Sequence, residues 1–96
     1  MLQESVEVAR SIRTNAYWNN LKHSPFISVV TPVYNRRSLM RRTIASVQAQ
    51  TFRDIEYIIV DDGSVPEEAI DDIVEEFMNS TDLPVMQDME QRGASL

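Results

Sequence analysis

Two polar turns carry the residues of this chain that can do chemistry: the stretch around Pro32, Tyr34 and Asn35, and the run Asp61-Asp62-Gly63-Ser64. A carboxylate accepts hydrogen bonds from a ligand N–H or hydroxyl, such as a nucleobase imide or a ribose, and a phenol ring stacks on any planar base. Asp61 and Asp62 are adjacent, so in an extended segment their side chains point to opposite sides and only one easily faces a given ligand. The same geometry suits a divalent cation poorly, because a cation wants several oxygens on one side. Each residue also has a plain structural reading. Aspartates ahead of a glycine form turns through Asx hydrogen bonds, and a tyrosine after a strand commonly buries its ring and leaves its hydroxyl wet.

The turns are placed by the segments before them. Ile27–Val30 and Ile55–Val60 are near-continuous apolar runs, the pattern of parallel strands buried on both faces. Between them, residues 36–50 put Met40, Ile44 and Val47 on one helical face. This is a β-α-β unit, and its crossover brings both turns to the carboxyl-end edge of a parallel sheet, where open α/β sheets hold ligands. Pro32 has no N–H and is expected to make the chain leave the sheet there. Asn35 or Ser38 is the expected cap of the helix. Ser64 with Glu67 reads as a capping box, with Pro66 in the first turn of a second helix. That helix carries the stripe Ile70, Ile73, Val74 and Phe77, which covers the sheet, and leaves Asp71, Asp72, Glu75 and Glu76 to solvent.

The flanks are less patterned. Leu83–Met86 reads as a short third strand, and residues 2–22 show a weak amphipathic helical period through Val6, Ala9, Ile12, Ala16 and Leu21. The expected organisation is therefore a helical extension over 1–24 ahead of one α/β domain over 25–96, with a short parallel sheet of two to three strands. Arg36, Arg37, Arg41 and Arg42 crowd the start of the first helix, where cations oppose its dipole. They read either as a solvated basic face or as an attraction for an anionic ligand or lipid head group.

Composition narrows the function classes. The 96 residues make one small domain at most. A formal charge of −6 disfavours a nucleic-acid partner, since phosphate binding draws on Lys and Arg. The chain has no cysteine and a single histidine, His23, which removes disulfides, thiolate metal sites and multi-histidine clusters. No apolar run approaches the ~20 residues that span a bilayer, and Met1–Ser5 lacks the basic and apolar blocks of a signal peptide, so a cytoplasmic protein is expected.

Several of these segments together resemble a known family. Ile27-Ser28-Val29-Val30-Thr31-Pro32-Val33-Tyr34-Asn35, then Leu39, Thr43-Ile44, Ser46-Val47 and Gln50-Thr51, then Ile55 through Asp61-Asp62-Gly63-Ser64, look like the opening of a family 2 glycosyltransferase with the Rossmann-like GT-A fold. Glu90 to Leu96 resembles the segment after that family's third strand, with Gln91 where an asparagine is frequent. The resemblance implies a nucleotide site made of Pro32, Tyr34, Asn35, Asp61, Asp62 and Ser64. In it the turn around Pro32 and Tyr34, together with Asp62, binds the base and ribose of a nucleotide-sugar, usually a UDP-sugar, and Asp61 supports Asp62 from the fold. Full-length members add an Asp-x-Asp that holds Mg²⁺ or Mn²⁺ and a later carboxylate base. Neither occurs in these 96 residues, so the resemblance implies a truncated piece that binds donor without transferring sugar to the acceptor hydroxyl. The alternative is a catalytically incomplete nucleotide-binding or protein-interaction module. An unpaired first strand would also invite self-association.

Overall fold

A computed structural model describes residues 10–90. In chain order it contains β1 (Arg10–Thr14), α1 (Ala16–Asn19), β2 (Ile27–Val33), α2 (Arg37–Gln48), β3 (Ile55–Asp61), a 3-10 turn (Pro66–Glu68), α3 (Asp71–Ser80) and β4 (Val85–Glu90). The sheet has the order β1-β4-β3-β2, with β2, β3 and β4 parallel and β1 antiparallel to β4. The α/β class and the partial Rossmann-like arrangement are as expected, enlarged by one strand.

The core follows from the period of each element. β3 alternates buried and half-buried positions, and Ile55, Tyr57 and Ile59 join Val33 and Val85 in one apolar cluster with the helices. Met40, Ile44 and Val47 of α2, and Ile73, Val74 and Phe77 of α3, supply the other side of that cluster, with Ile70 just ahead of α3. Each fully buried aliphatic side chain of this kind contributes roughly 1.5–3 kcal/mol. Tyr57 meets Phe77 edge to face with ring centroids 6.0 Å apart, and its hydroxyl pairs with Thr31 Oγ1 at 2.9 Å. Burial raises the pKa of that phenol, and the Thr31 hydrogen bond works against the rise.

The N-terminal segment departs from expectation. The helix foreseen over residues 2–22 is replaced, from residue 10 on, by strand β1 and the single helical turn α1; residues 2–9 lie outside those described. The free edge of β4 is the physical reason. Ile12 and Thr14 are β-branched, and pairing Arg10–Thr14 against β4 satisfies a row of backbone groups that a marginal helix would leave to solvent. Asn15 fixes the corner. Its Oδ1 accepts from Trp18 N (3.0 Å) and Val85 N (3.0 Å), and its Nδ2 donates to Leu83 O (2.9 Å).

Pro32 does not end its strand. β2 runs on to Val33, whose carbonyl accepts from Asp62 N at 2.9 Å. In a parallel ladder alternate residues address the same neighbour. Val33 addresses β3, so Pro32 turns its missing N–H to the outer edge, where proline is tolerated. β2 is also not buried on both faces. It is the last strand of the sheet, and Val30 is 55% exposed.

The turns and caps differ as well. Pro66–Glu68 is a 3-10 turn and α3 begins only at Asp71, so Ser64 and Glu67 form no capping box. Neither Asn35 nor Ser38 caps α2; Glu68 Oε1 accepts from Arg37 N at 3.1 Å instead. Two of the crowded arginines bind the acidic helix rather than facing solvent alone. Arg37 makes paired bonds of 2.7 and 2.8 Å to Asp72, and Arg41 reaches Glu76 at 2.6 Å. The Arg37 hydrogen bond holds the Asp72 carboxyl far below the ordinary carboxylate range. A depressed carboxyl adds stability above its unfolded pKa and loses it as pH falls towards the folded one. Asp72→Asn is therefore expected to lower the urea midpoint at pH 7, with the gap to the parent closing progressively below about pH 4. A gap that persists unchanged at pH 2 would assign the loss to something other than this pair.

Candidate functional site

The site is built where β2 and β3 end together. The parallel register sets Val33 opposite Asp61, so Tyr34 and Asp62 are the next residues out of two neighbouring strands at one edge of the sheet. Asp61 continues the inward-facing positions of β3 and is only 2% exposed. Asp62, one residue on, points the other way, and its side chain is 59% exposed. Tyr34 is half exposed.

Behind this rim the two turns are tied to each other. Asp61 Oδ1 accepts from both Ser64 N (3.0 Å) and Ser64 Oγ (2.8 Å). Ser64 Oγ in turn accepts from Asn35 N at 2.9 Å, while Asn35 Oδ1 accepts from Val65 N at 3.0 Å. Asn35 has φ 51°, a left-handed conformation that asparagine adopts at lower cost than most residues. Gly63 has φ 83°, and it is what lets Ser64 fold back over Asp61. A buried carboxylate accepting two hydrogen bonds is well satisfied, and the serine hydroxyl relays the tie to the other turn.

The structure thus brings Tyr34, Asn35, Asp61, Asp62 and Ser64 to one edge. Pro32 lies two residues before Tyr34 on the exposed margin of β2. Within the set the parts divide: Asn35, Asp61 and Ser64 hold the turns together, whereas Tyr34 and Asp62 present an aromatic ring and a carboxylate outward. Two residues absent from the sequence-derived set belong to the same neighbourhood. Glu68 fixes the start of α2 just after the first turn. Arg10 places Nη2 3.8 Å from Asp62 Oδ1, 2.7 Å through Nε from Asp88 Oδ1, and 3.7 Å through Nη1 from Glu90 Oε1. The bond to Asp88, then the charges of Asp88, Asp62 and Glu90, hold the guanidinium above its ordinary pKa. Nothing in the sequence joins Arg10 to residues over fifty positions away; only the antiparallel pairing of β1 does so.

Among the described residues no group of three or more His, Cys, Asp or Glu side chains could hold a cation. The rim carboxylates Asp62, Asp88 and Glu90 gather around a guanidinium instead. Among the described residues, too, no helix is long and apolar enough to cross a membrane.

The comparison with known families decides the class. Residues 28–93 match the family described as Glycosyl transferase family 2. The chain belongs to glycosyltransferase family 2. Similar proteins include an uncharacterised glycosyltransferase of Rickettsia prowazekii, 49% identical over 45 residues, which are 47% of this chain and 14% of that protein. A GalNAc(5)-diNAcBac-PP-undecaprenol beta-1,3-glucosyltransferase of Campylobacter jejuni is 45% identical over 40 residues, 42% of this chain and 13% of the relative. A validoxylamine A glucosyltransferase of Streptomyces hygroscopicus is 46% identical over 44 residues, 44% of this chain and 10% of the relative. The matched segment is a small part of each of these proteins. No solved structure matches the chain significantly.

For this glycosyltransferase-family domain the tie between turns is open to test by substitution. Ser64→Ala removes the hydroxyl that bridges Asp61 and Asn35 and leaves a buried carboxylate one donor short. It is expected to cost about 1–3 kcal/mol in urea unfolding. A cost within about 0.3 kcal/mol of zero would show that the two turns hold together without it.

Proposed function

We propose that the rim formed by Tyr34 and Asp62 recognises the nucleotide half of a nucleotide-sugar donor, with a UDP-sugar as the best fit, for glycosyl transfer to an acceptor hydroxyl. Membership of family 2 supports the reaction class, and the observation that carries the reading is the Val33–Asp61 register. That register sets an exposed phenol and an exposed carboxylate on adjoining strand ends, over a base that hydrogen bonds keep rigid.

In this reading the Tyr34 ring stacks on the uracil, and Asp62 accepts a hydrogen bond from the base imide or from a ribose hydroxyl. Asp61 touches no ligand. It holds Ser64, and through Ser64 it holds Asn35, so the two turns meet the nucleotide already ordered. Pro32 keeps the outer margin of β2 free of an N–H beside the turn. We assign donor recognition, and not turnover, to the described residues. A departing nucleoside diphosphate needs its developing charge stabilised by a metal or a cationic clamp, and the described residues gather no ligand set for Mg²⁺ or Mn²⁺. A catalytically incomplete binding module would bind the same ligand and differ only in lacking a partner half that completes transfer.

The test is titration of the chain with UDP, following backbone amide shifts. Saturable shifts are expected in residues 31–36 and 60–65 together. Asp62→Ala is expected to weaken binding about ten- to a hundredfold, the loss of a hydrogen bond to a charged group. Trp18 fluorescence is expected to stay flat, since α1 follows the end of β1 that pairs with the start of β4, away from the rim. Equal binding by the parent and Asp62→Ala, or shifts confined to one turn, would remove the assignment.

A further inference from the structure

Strand β1 lies ahead of the family-matched segment, yet it delivers a side chain to the candidate site. Because β1 runs antiparallel to β4, its first residue, Arg10, stands opposite Glu90, at the same sheet edge as Asp61 and Asp62. Arg10 is held unevenly. Its Nε donates to Asp88 at 2.7 Å, a short charge-assisted bond that fixes the guanidinium plane, while Glu90 and Asp62 stand back at 3.7 and 3.8 Å. Asp88 is thus the anchor, and Asp62 is attracted without being closed off.

The electrostatics explain what that achieves. Asp62, Asp88 and Glu90 are like charges around one point, and without the cation between them Asp62 would be repelled outward and left to sample many rotamers. With the cation in place, one carboxylate oxygen of Asp62 is drawn towards β1. A separation of 3.8 Å is too long for a hydrogen bond, so the acceptor capacity of the carboxylate remains available to a ligand.

We propose that Arg10 is a positioning residue for Asp62: anchored on Asp88, it orients the Asp62 carboxylate so that it meets the nucleoside in an accepting geometry. This rests on the nucleotide reading above, and it extends the donor site to a strand outside the matched family segment. Arg10 itself does not touch the nucleoside.

Uridine, which is neutral, is the probe that isolates this role, because direct attraction between Arg10 and a phosphate then plays no part. Arg10→Gln is expected to weaken uridine binding about two- to fivefold in the parent, the size of an exposed ion-pair effect, and to have no effect in an Asp62→Asn background. Asp88→Asn, which leaves Arg10 in place but frees it, is expected to reproduce the Arg10→Gln loss. Raising NaCl to about 1 M, where charges are screened beyond roughly 3 Å, is expected to bring the parent's affinity down to that of Arg10→Gln. An equal loss in both Asp62 backgrounds, or no loss on Arg10→Gln while Asp62→Asn still weakens uridine binding, overturns the role of Arg10 and leaves the nucleotide reading standing. If Asp62→Asn alone has no effect, the nucleotide reading falls and this assignment falls with it.

Discussion

One buried carboxylate organises this edge of the protein. Asp61 ends β3 facing the core, 2% exposed, and accepts two hydrogen bonds from Ser64. Removing an ionised group from water is costly unless hydrogen bonds replace the lost hydration. The arrangement of the second turn is therefore set by the need to satisfy Asp61. Gly63 adopts a positive φ, Ser64 folds back, and its hydroxyl becomes the acceptor for Asn35 N. The first turn is positioned as a consequence of the second.

The helices support the same edge from below. α2 begins directly after the first turn and α3 follows the second, and the acid-base pairs Arg37–Asp72 and Arg41–Glu76 cross between them. Glu68, from the 3-10 turn, closes the start of α2 on Arg37 N. The amino end of α2 is thus fixed by a residue of the other turn, which explains how basic residues are tolerated where they oppose the helix dipole. The charges of Arg37 and Arg41 are met across the helix pair instead. Near the carboxyl end of α2, Arg53 donates to the carbonyls of Gln48 and Gln50 and to Asp82, binding the loop before β3 to the loop before β4.

The features legible in the sequence are those set by local period and by short polar runs. Apolar stretches at Ile27 and Ile55, the stripe of α2 and the stripe Ile70, Ile73, Val74 and Phe77 gave the β-α-β unit and its covering helix. Adjacent aspartates in an extended segment had to face opposite ways, and they do. What the sequence did not reveal depends on position within the sheet. The apolar run of β2 looked like an interior strand, but β2 is at the margin, which is also why Pro32 sits comfortably inside it. Where the weak helical period of residues 2–22 crosses Arg10–Thr14 it yields to the open edge of β4, because long-range backbone pairing outweighs marginal local preference. The same pairing, and no local pattern, brings Arg10 to the site. The spacing of Ser64 and Glu67 suggests a cap for the helix after it, whereas Ser64 bonds back to Asp61 and across to Asn35, a choice that burial of Asp61 dictates and local sequence does not.

The two turns form one rigid rim because Asp61, Ser64 and Asn35 bind them to each other. Hydrogen exchange of the backbone amides reads this tie bond by bond, since Asn35 N donates to Ser64, Val65 N to Asn35 and Asp62 N to Val33. These three amides are expected to exchange slowly and with similar protection, as one unit lying in otherwise fast-exchanging turns. Exchange of Asn35 and Val65 at the rate of an unstructured peptide, with Asp62 alone protected, would contradict it.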